Sequence, residues 1–238
     1  MNIALIGYGK MGREIEKVAI SRGHQIKLKV DVNNPEDLTT ANLRKCDVAI
    51  EFTTPSSAVD NYFACFTAGI PVVSGTTGWL HREKEVHEKC LAQNGTFFYG
   101  SNFSIGVNLF FELNRKLATL MASQPEYDVE LLEVHHTQKL DAPSGTAITL
   151  AEDILPAITR KTAWTSNEKP KEEELSIKSE RRGEVPGIHT VKYSSDIDSI
   201  EITHDAKSRK GFALGAVLAA EYCMKNKGLL SMKDMLNI

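Results

Sequence analysis

Two adjacent histidines and a nearby lysine are the side chains of this sequence best suited to acid–base chemistry. His135 and His136 follow an apolar stretch over 128–134, and Lys139 lies on the loop candidate that comes next. The apolar stretch predicts a mostly buried strand. Because neighbouring side chains of an extended chain point in opposite directions, the two histidines are expected to have different roles unless the strand ends there.

A helix is predicted over 145–158, directly after this loop. Pro143 blocks an earlier start, and Ser144 is a favourable N-cap. A helix that opens with Ser144, Gly145 and Thr146 offers unpaired backbone N–H groups, two hydroxyls and the positive end of the helix dipole. These groups predict a binding site for a carboxylate or a phosphate.

Each of these features also has an ordinary structural interpretation. A histidine pair at the end of a strand can serve packing, a loop lysine is usually solvated, and Ser-Gly-Thr before a helix can act only as a cap. Their occurrence together with a nucleotide-binding motif favours the chemical interpretation.

A glycine-rich motif follows the first strand candidate, residues 2–6. The motif consists of Gly7, Tyr8, Gly9, Lys10, Met11 and Gly12. In a strand–turn–helix context, G-x-G-x-x-G binds the pyrophosphate of a dinucleotide. The first glycine would make the tight turn, the second would let the backbone approach the pyrophosphate, and the third would let the helix pack on the strand. A glycine-rich turn without a ligand is the alternative.

Asp31 ends the second strand candidate, 31 − 12 = 19 residues after Gly12. An acid at this separation accepts hydrogen bonds from the adenosine ribose, although it could also simply cap a turn. Its carboxylate would repel the 2′-phosphate of NADPH, and no basic residue follows it immediately, which favours NADH. Lys10 and Arg13 could reach a phosphate, so the use of both cofactors stays open.

Strands and helices alternate along the first hundred residues. Further strand candidates at 47–52, 71–74 and 96–99 predict an α/β fold with a doubly wound parallel (Rossmann) sheet. Whether a full crossover helix lies between residues 31 and 46 is open, because that segment is short. Ligands of such sheets bind beyond the carboxyl ends of the strands, where the loops 53–57, 75–78 and 100–104 follow.

A different pattern begins near residue 106. A helix is predicted over 106–121, with core positions at Leu109, Phe110, Leu113, Leu117 and Leu120. The polar stretch 160–174 is interpreted as a solvated loop. Four strand candidates, which would form a mixed four-stranded sheet in a second α+β domain, lie at 128–136, 175–180, 188–193 and 197–204.

These patterns predict how the chain divides into domains. Residues 1–105 are expected to form a dinucleotide-binding domain, and 106–210 a domain for substrate binding and oligomerisation. A helix within 211–238 is expected to return to the first domain.

Residues 133–147, Glu-Val-His-His-Thr-Gln-Lys-Leu-Asp-Ala-Pro-Ser-Gly-Thr-Ala, resemble the signature of the 4-hydroxy-tetrahydrodipicolinate reductase (dihydrodipicolinate reductase) family. Motifs of the same family are similar, in the same order, to stretches at 51–53, 75–78, 102–108, 181–190 and 202–209. The resemblance covers nearly the whole chain, and the short segment after Asp31 is the main departure.

The resemblance implies reduction of 4-hydroxy-tetrahydrodipicolinate to tetrahydrodipicolinate, in lysine and diaminopimelate biosynthesis, with NADH or NADPH. It implies proton-donating, catalytic roles for His135 and Lys139. Substrate contacts are implied for His136, Ser144, Gly145 and Thr146. Cofactor contacts beyond the glycine-rich motif are implied for Gly75, Thr76, Thr77, Ser101, Asn102, Phe103 and Arg209. The family further implies a homotetramer built through the second domain's sheet.

Two other functions fit part of the pattern. Another Rossmann-type amino-acid or sugar dehydrogenase would keep the glycine-rich motif and Asp31 but would not need the segment 135–146. A non-catalytic NAD-sensing module would bind the cofactor without turnover.

Composition narrows the class of protein. The chain has 238 residues, of which 42% are hydrophobic and 25% charged, and this balance is typical of a globular protein. The net charge of −3 and the lack of a Lys/Arg block argue against a nucleic-acid partner. We find neither a signal-peptide pattern nor an apolar run of about 20 residues, and the four cysteines show no metal-binding spacing. We therefore expect a cytoplasmic protein without a metal or a membrane partner, and the resemblance implies that its substrate is a small dicarboxylate.

Overall fold

The computed structural model describes residues 1–208 and 210–238, which divide into two compact units. One unit consists of Met1–Ile105 together with Lys210–Ile238, and the described residues between these segments form the other. The strands are β1 (Asn2–Ile6), β2 (Gln25–Val30), β3 (Val48–Glu51), β4 (Val72–Ser74), β5 (Thr96–Tyr99), β6 (Asp128–His135), β7 (Ala163–Thr165), β8 (Glu174–Arg181), β9 (Gly187–Ser194), β10 (Ser199–Ala206) and β11 (Gly228–Ser231). The α-helices are α1 (Lys10–Ser21), α2 (Thr40–Leu43), α3 (Pro55–Ala68), α4 (Glu83–Ala92), α5 (Ile105–Met121), α6 (Gly145–Ile154), α7 (Lys210–Cys223) and α8 (Met232–Leu236).

The first unit contains a six-stranded parallel sheet, in the order β11-β5-β4-β3-β1-β2. This order confirms the doubly wound sheet. The chain reverses its direction of winding between β1 and β3, and this switch point is where such sheets bind nucleotides. The connection from β2 to β3 holds a 3₁₀ turn (Pro35–Asp37) and the four-residue helix α2, so a full crossover helix is not present there.

The second unit contains a mixed sheet in the order β10-β9-β6-β8-β7. The central strand β6 pairs antiparallel with β9 and parallel with β8. The prediction of four strands is wrong, because β7 adds a fifth at the edge, within the stretch 160–174 that was interpreted as a loop. Its three residues are only partly buried or exposed, so no hydrophobic alternation marks them.

The buried face of α5 agrees with the prediction only in part, since Phe110 is buried and Leu117 is partly buried against the same core. Leu109, Leu113 and Leu120 are 47%, 49% and 69% exposed in this chain. The buried residues of the helix, which differ widely in size and polarity, are Val107, Phe110, Asn114, Ala118 and Met121. The Asn114 amide donates a hydrogen bond to the Leu150 carbonyl at 3.0 Å. This bond offsets the cost of burying the polar N–H group of the side chain.

The described residues contain no helix that is both long enough and apolar enough to cross a membrane. All four cysteines are buried and unpaired.

Candidate active site

A cavity of 370 Å³ lies at the switch point of the parallel sheet. Its lining includes Gly7 and Gly9 after β1, Asp31 after β2, and Phe52 and Thr53 after β3. A second cavity of 460 Å³ shares Gly9, Phe52 and Thr53. Its other lining residues are Lys10, Met11, Gly12, Pro55, Gly75, Thr76 and Thr77. The loops that follow four parallel strands therefore meet around one concave region.

The three motif glycines have distinct environments. Gly7 has φ +93°, and a Cβ there would overlap the Phe52 carbonyl oxygen. A Cβ on Gly12 would overlap the Gly7 carbonyl, so this glycine lets α1 begin close against the turn. A Cβ on Gly9 would meet nothing within 4 Å. Gly7 and Gly12 are thus required by the fold, whereas the open space at Gly9 suits a ligand that approaches the backbone.

Asp31 both caps a turn and lines the first cavity. Its backbone N–H donates to Asn34 Oδ1 at 2.8 Å, and its Oδ1 accepts a hydrogen bond from Val32 N at 2.8 Å. The two interpretations offered by the sequence are therefore compatible.

Tyr8 belongs to a charged cluster and does not line either cavity. Its hydroxyl donates to the Glu16 carboxylate and accepts from Lys29 Nζ at 3.2 Å, while Lys29 also pairs with Glu16 at 2.7 Å. The Arg13 guanidinium carbon lies 5.8 Å from the centroid of the Tyr8 ring.

The loop at 101–103 contributes differently from the loop at 75–77. Phe103 is 2% exposed and packs on the Phe52 and Phe98 rings, so its side chain belongs to the core. Asn102 Oδ1 accepts from Ser104 N at 2.9 Å, and Ser101 is exposed. Arg209 lies outside the described residues.

A buried carboxylate that sequence reasoning did not single out lies beneath the two cavities. Glu51 is fully buried at the end of β3 and accepts hydrogen bonds from Thr53, Ser74 and Thr76, the last two at 2.7 and 3.1 Å. Burial raises the pKa of this carboxyl above its usual range, although these hydroxyl donors oppose the shift. A glutamate within an otherwise apolar strand was the available signal.

The second unit places His135 at the end of its central strand. The ring is buried, and its Nδ1 lies 3.3 Å from Oε2 of Glu133, two residues earlier on the same face. A Cβ on Gly187 would come within 3.0 Å of His135 Nε2, so the missing side chain keeps space open at that nitrogen. Glu133 is itself fully buried and accepts a hydrogen bond from Ser144 N at 3.1 Å.

His189 completes the buried cluster and was not predicted. It lies on β9 opposite Glu133, and its ring centroid is 5.0 Å from that of His135. Its Nε2 is 3.1 Å from Ser144 Oγ. Burial, and then the charge of His135, lower the pKa of His189 to about 4, so that this imidazole is neutral near pH 7.

Lys139 is held by an ion pair on the loop after β6. Its ammonium lies 2.7 and 2.8 Å from the two carboxylate oxygens of Asp141. Hydrogen bonding from Lys139 lowers the pKa of Asp141. His136 is partly exposed, and its carbonyl accepts from Lys139 N at 3.1 Å. The structure therefore gives the two adjacent histidines different surroundings, as alternation along a strand requires.

The helix α6 begins as the sequence predicts. Ser144 is its N-cap, and its Oγ accepts from Ala147 N at 3.3 Å. Since the hydroxyl and the N–H of Ser144 both bond within the protein, Gly145 and Thr146 are left to present the open end of the helix. Gly145 is exposed with nothing within 4 Å of its Cβ position, and Thr146 is partly exposed.

The side chains of Glu133, His135 and His189 have nitrogen and oxygen atoms within 4.8 Å of one another, a spacing that one metal ion could use. The Arg181 guanidinium already pairs with Glu133 at 3.4 Å, and Ser144 N donates to the other carboxylate oxygen. We therefore interpret this group as a hydrogen-bonded network.

Comparison with known proteins identifies relatives along the whole chain. Residues 1–103 match the family model for the N-terminus of dihydrodipicolinate reductase, and residues 106–236 match the model for its C-terminus. A 4-hydroxy-tetrahydrodipicolinate reductase of Christiangramia forsetii is 51% identical over 239 residues, which cover 100% of this chain and 98% of that protein. The corresponding protein of Methanosarcina acetivorans is 34% identical, with 99% of this chain and 89% of the relative covered.

A solved structure supports the same fold. The dipicolinate-bound dihydrodipicolinate reductase from Paenisporosarcina sp. TG-14 has a TM-score of 0.76 and 24% identity, with 98% of each chain covered. At this level of identity the likeness shows the fold.

Proposed function

The chain belongs to the dihydrodipicolinate reductase family, and we propose that it reduces 4-hydroxy-tetrahydrodipicolinate to tetrahydrodipicolinate with a nicotinamide dinucleotide. The family match over both units is the observation that carries the proposal. It places the reaction in lysine and diaminopimelate biosynthesis. The geometry agrees with it, because one unit has a cavity at the nucleotide switch point and the other has an acid–base cluster beside a helix N-terminus.

The residues of the first unit fit a dinucleotide. The open space at Gly9 can receive a pyrophosphate, and Asp31 lines the neighbouring cavity as a ribose-binding acid should. When bound, the nicotinamide supplies the hydride. We assign cofactor contacts to Gly7, Tyr8, Gly9, Lys10, Met11, Gly12, Asp31, Gly75, Thr76, Thr77, Ser101, Asn102, Phe103 and Arg209. For Phe103 the contact would be through the backbone, since its side chain is buried.

The residues of the second unit fit a dicarboxylate that must accept a proton. N–H groups in the first turn of a helix have no partner within the helix, so Gly145 and Thr146 can bind one carboxylate with help from the dipole. His136 is assigned to substrate binding as well. Reduction leaves negative charge on the conjugated ring and its nitrogen, and a nearby proton donor stabilises that charge. We assign this role to Lys139 and His135, with His135 Nε2 as the atom that has open space beside it.

A turnover assay tests the function. The purified protein is mixed with 4-hydroxy-tetrahydrodipicolinate and either NADH or NADPH, and oxidation of the cofactor is followed by its absorbance. Parallel reactions with amino-acid and sugar substrates test the other dehydrogenase activities. Cofactor binding without turnover of any substrate would overturn the proposal in favour of a sensing module.

Thr146→Val is expected to raise the KM for the substrate about tenfold while kcat changes little. The change removes a hydroxyl at the open end of α6, and a hydrogen bond to a charged group is worth about 1.5 kcal/mol or more. Thr119→Val, at an exposed position of α5 where the hydroxyl donates to its own helix, is the matched control. Steady-state kinetics of the two variants separates KM from kcat. An unchanged KM in Thr146→Val contradicts the assignment.

We propose that kcat/KM for NADH equals or exceeds that for NADPH, and that Asp31→Ala shifts the ratio toward NADPH. The carboxylate would accept bonds from the ribose hydroxyls and repel a 2′-phosphate. Lys10 lines the second cavity, and one compensating cation at an exposed site is worth only about 1 kcal/mol. Asp37→Ala, in the same loop but outside the cavity lining, is the control. A wild-type preference of about tenfold for NADPH, or about 1.4 kcal/mol, would show that the cations outweigh Asp31.

We also propose a homotetramer in the cytoplasm. The resemblance to the family implies the tetramer, and the exposed leucines of α5 together with the edge strand β10, where Ile200 is 42% exposed, give the second unit apolar surface that an assembly could cover.

A further inference from the structure

The Glu133 carboxylate contacts several parts of the candidate substrate site at once. It is fully buried, and its Oε2 lies 3.3 Å from His135 Nδ1 and 3.1 Å from Ser144 N. The same oxygen is 3.8 Å from His189 Nε2. One oxygen therefore contacts the proposed proton donor, the cap of α6 and the neutral histidine that bonds to that cap.

The other carboxylate oxygen reaches the loop that carries Lys139. Oε1 is 3.4 Å from both terminal nitrogens of Arg181. The guanidinium also donates to the Asp141 carbonyl at 2.7 Å and to the Lys139 carbonyl at 3.3 Å. Arg181 thus fixes the backbone of 139–141 relative to Glu133.

The electrostatics keep this carboxylate charged. Burial alone would raise the pKa of Glu133, but hydrogen bonding from His135 and Ser144 outweighs burial and holds that pKa well below its usual range. The ionised groups around it are Arg181, which pairs with it at 3.4 Å, and the Asp141 carboxylate on the loop after β6, while His189 on β9 is neutral near pH 7. A permanent negative charge therefore lies beside His135 Nδ1.

A purely structural role explains this arrangement poorly. Replacing a buried ion pair by well-packed apolar residues is often neutral or stabilising, so stability alone gives no reason to bury a carboxylate with an arginine here. The neighbouring inward positions of β6, Val129 and Leu131, are apolar.

We propose that Glu133 is a positioning residue that orients His135 through Nδ1 and holds the α6 cap and, through Arg181, the Lys139 loop in place. This inference rests on the proposed function. His135 Nε2 is then directed to the space that Gly187 leaves open. Glu133 itself does not exchange a proton with the substrate.

A double-mutant cycle tests the proposal. Glu133→Gln keeps the shape of the side chain but removes its charge, and we expect it to lower kcat by ~10²-fold, as misplacement of a catalytic group does. If Glu133 acts chiefly through His135, the same change in a His135→Ala background lowers kcat by about tenfold at most, because only its hold on the α6 cap and the Lys139 loop is left to lose. Losses that multiply in the double variant overturn the proposal.

The control is Glu130→Gln, on the same strand but paired with the exposed Lys178, for which kcat should stay at the wild-type value. Circular dichroism and thermal melting check folding. Should Glu133→Gln fail to fold, a cycle of Arg181→Gln with Lys139→Ala tests the network instead. We expect Arg181→Gln alone to lower kcat about tenfold and to have no further effect in the Lys139→Ala background. Losses in kcat that multiply in the double variant overturn the proposal. An inactive wild-type protein would count against the proposed function itself, whereas an active wild type with multiplying losses counts only against the positioning role.

Discussion

Lys139→Ala is expected to lower kcat by ~10²-fold or more, while the KM for the dinucleotide stays near that of the wild type. The ammonium is a proton-carrying cation on the loop that leads into α6, and general acid catalysis contributes about 10² to 10⁴. His135→Ala should cause a loss of the same order. Steady-state kinetics with each substrate varied in turn measures both variants.

The control is Lys178→Ala, which removes an ammonium from β8 that pairs with Glu130 at the surface of the same sheet. Its kinetic constants should match those of the wild type. Such a match excludes the loss of a positive charge from this sheet as the reason for the slower turnover of Lys139→Ala. Near-normal turnover in Lys139→Ala or in His135→Ala contradicts the assignment of that residue as a proton donor.

Local patterns were sufficient for most of the parallel sheet. The run from β1 through the glycine-rich turn to α1 is determined by neighbours in sequence, and the structure has these elements within a few residues of the predicted bounds. The strands β7 and β11 escaped prediction because they are short and lie at sheet edges. Strands of this kind are stabilised by their partner's hydrogen bonds, and their own residues carry little hydrophobic pattern.

The candidate substrate site was predictable only where its residues are close in sequence. Ser144 as the cap of α6 follows from residue type alone. Glu133 and His135, two residues apart on a strand, share a face by alternation, and that signal was available. His189 and Arg181 were not accessible in this way, because they reach the site through the register of β6 with β9 and β8, which pairs Glu133 with His189 and His135 with Arg181. Register between distant strands depends on the whole sheet.

The helix α5 shows a related limit. Its periodicity predicts an amphipathic helix, but it does not determine which stripe faces the sheet of this chain. The leucines at 109, 113 and 120 lie on the exposed side, whereas Asn114 is fully buried. A stripe of leucines therefore does not by itself identify the face of a helix that packs on the chain's own sheet.

The glycines of the nucleotide motif allow a second large effect to be predicted. Gly7→Ala is expected to lower the free energy of unfolding by about 3 kcal/mol or more, because alanine at φ +93° is strained and its Cβ would overlap the Phe52 carbonyl. The overlapped oxygen belongs to the backbone that follows β3, so rotation of a side chain cannot relieve the overlap. Gly9→Ala should change the free energy of unfolding by about 1 kcal/mol or less, since nothing lies within 4 Å of its Cβ position.

Gly9→Ala, which should hardly change the stability, is expected to weaken binding of the dinucleotide. Its added methyl group would occupy the space through which a pyrophosphate approaches the backbone, and loss of one or two hydrogen bonds of about 1 kcal/mol each raises the KM for the dinucleotide about tenfold. Denaturant unfolding and steady-state kinetics on the same preparations measure the free energy of unfolding and the KM. The control is Gly23→Ala, which shows the cost of backbone strain alone, because its Cβ position is also open but its φ is +83°. A Gly9→Ala protein that is stable and keeps the wild-type KM would mean that the open space beside this glycine does not receive the pyrophosphate. The cofactor would then have to be placed on the opposite side of the turn.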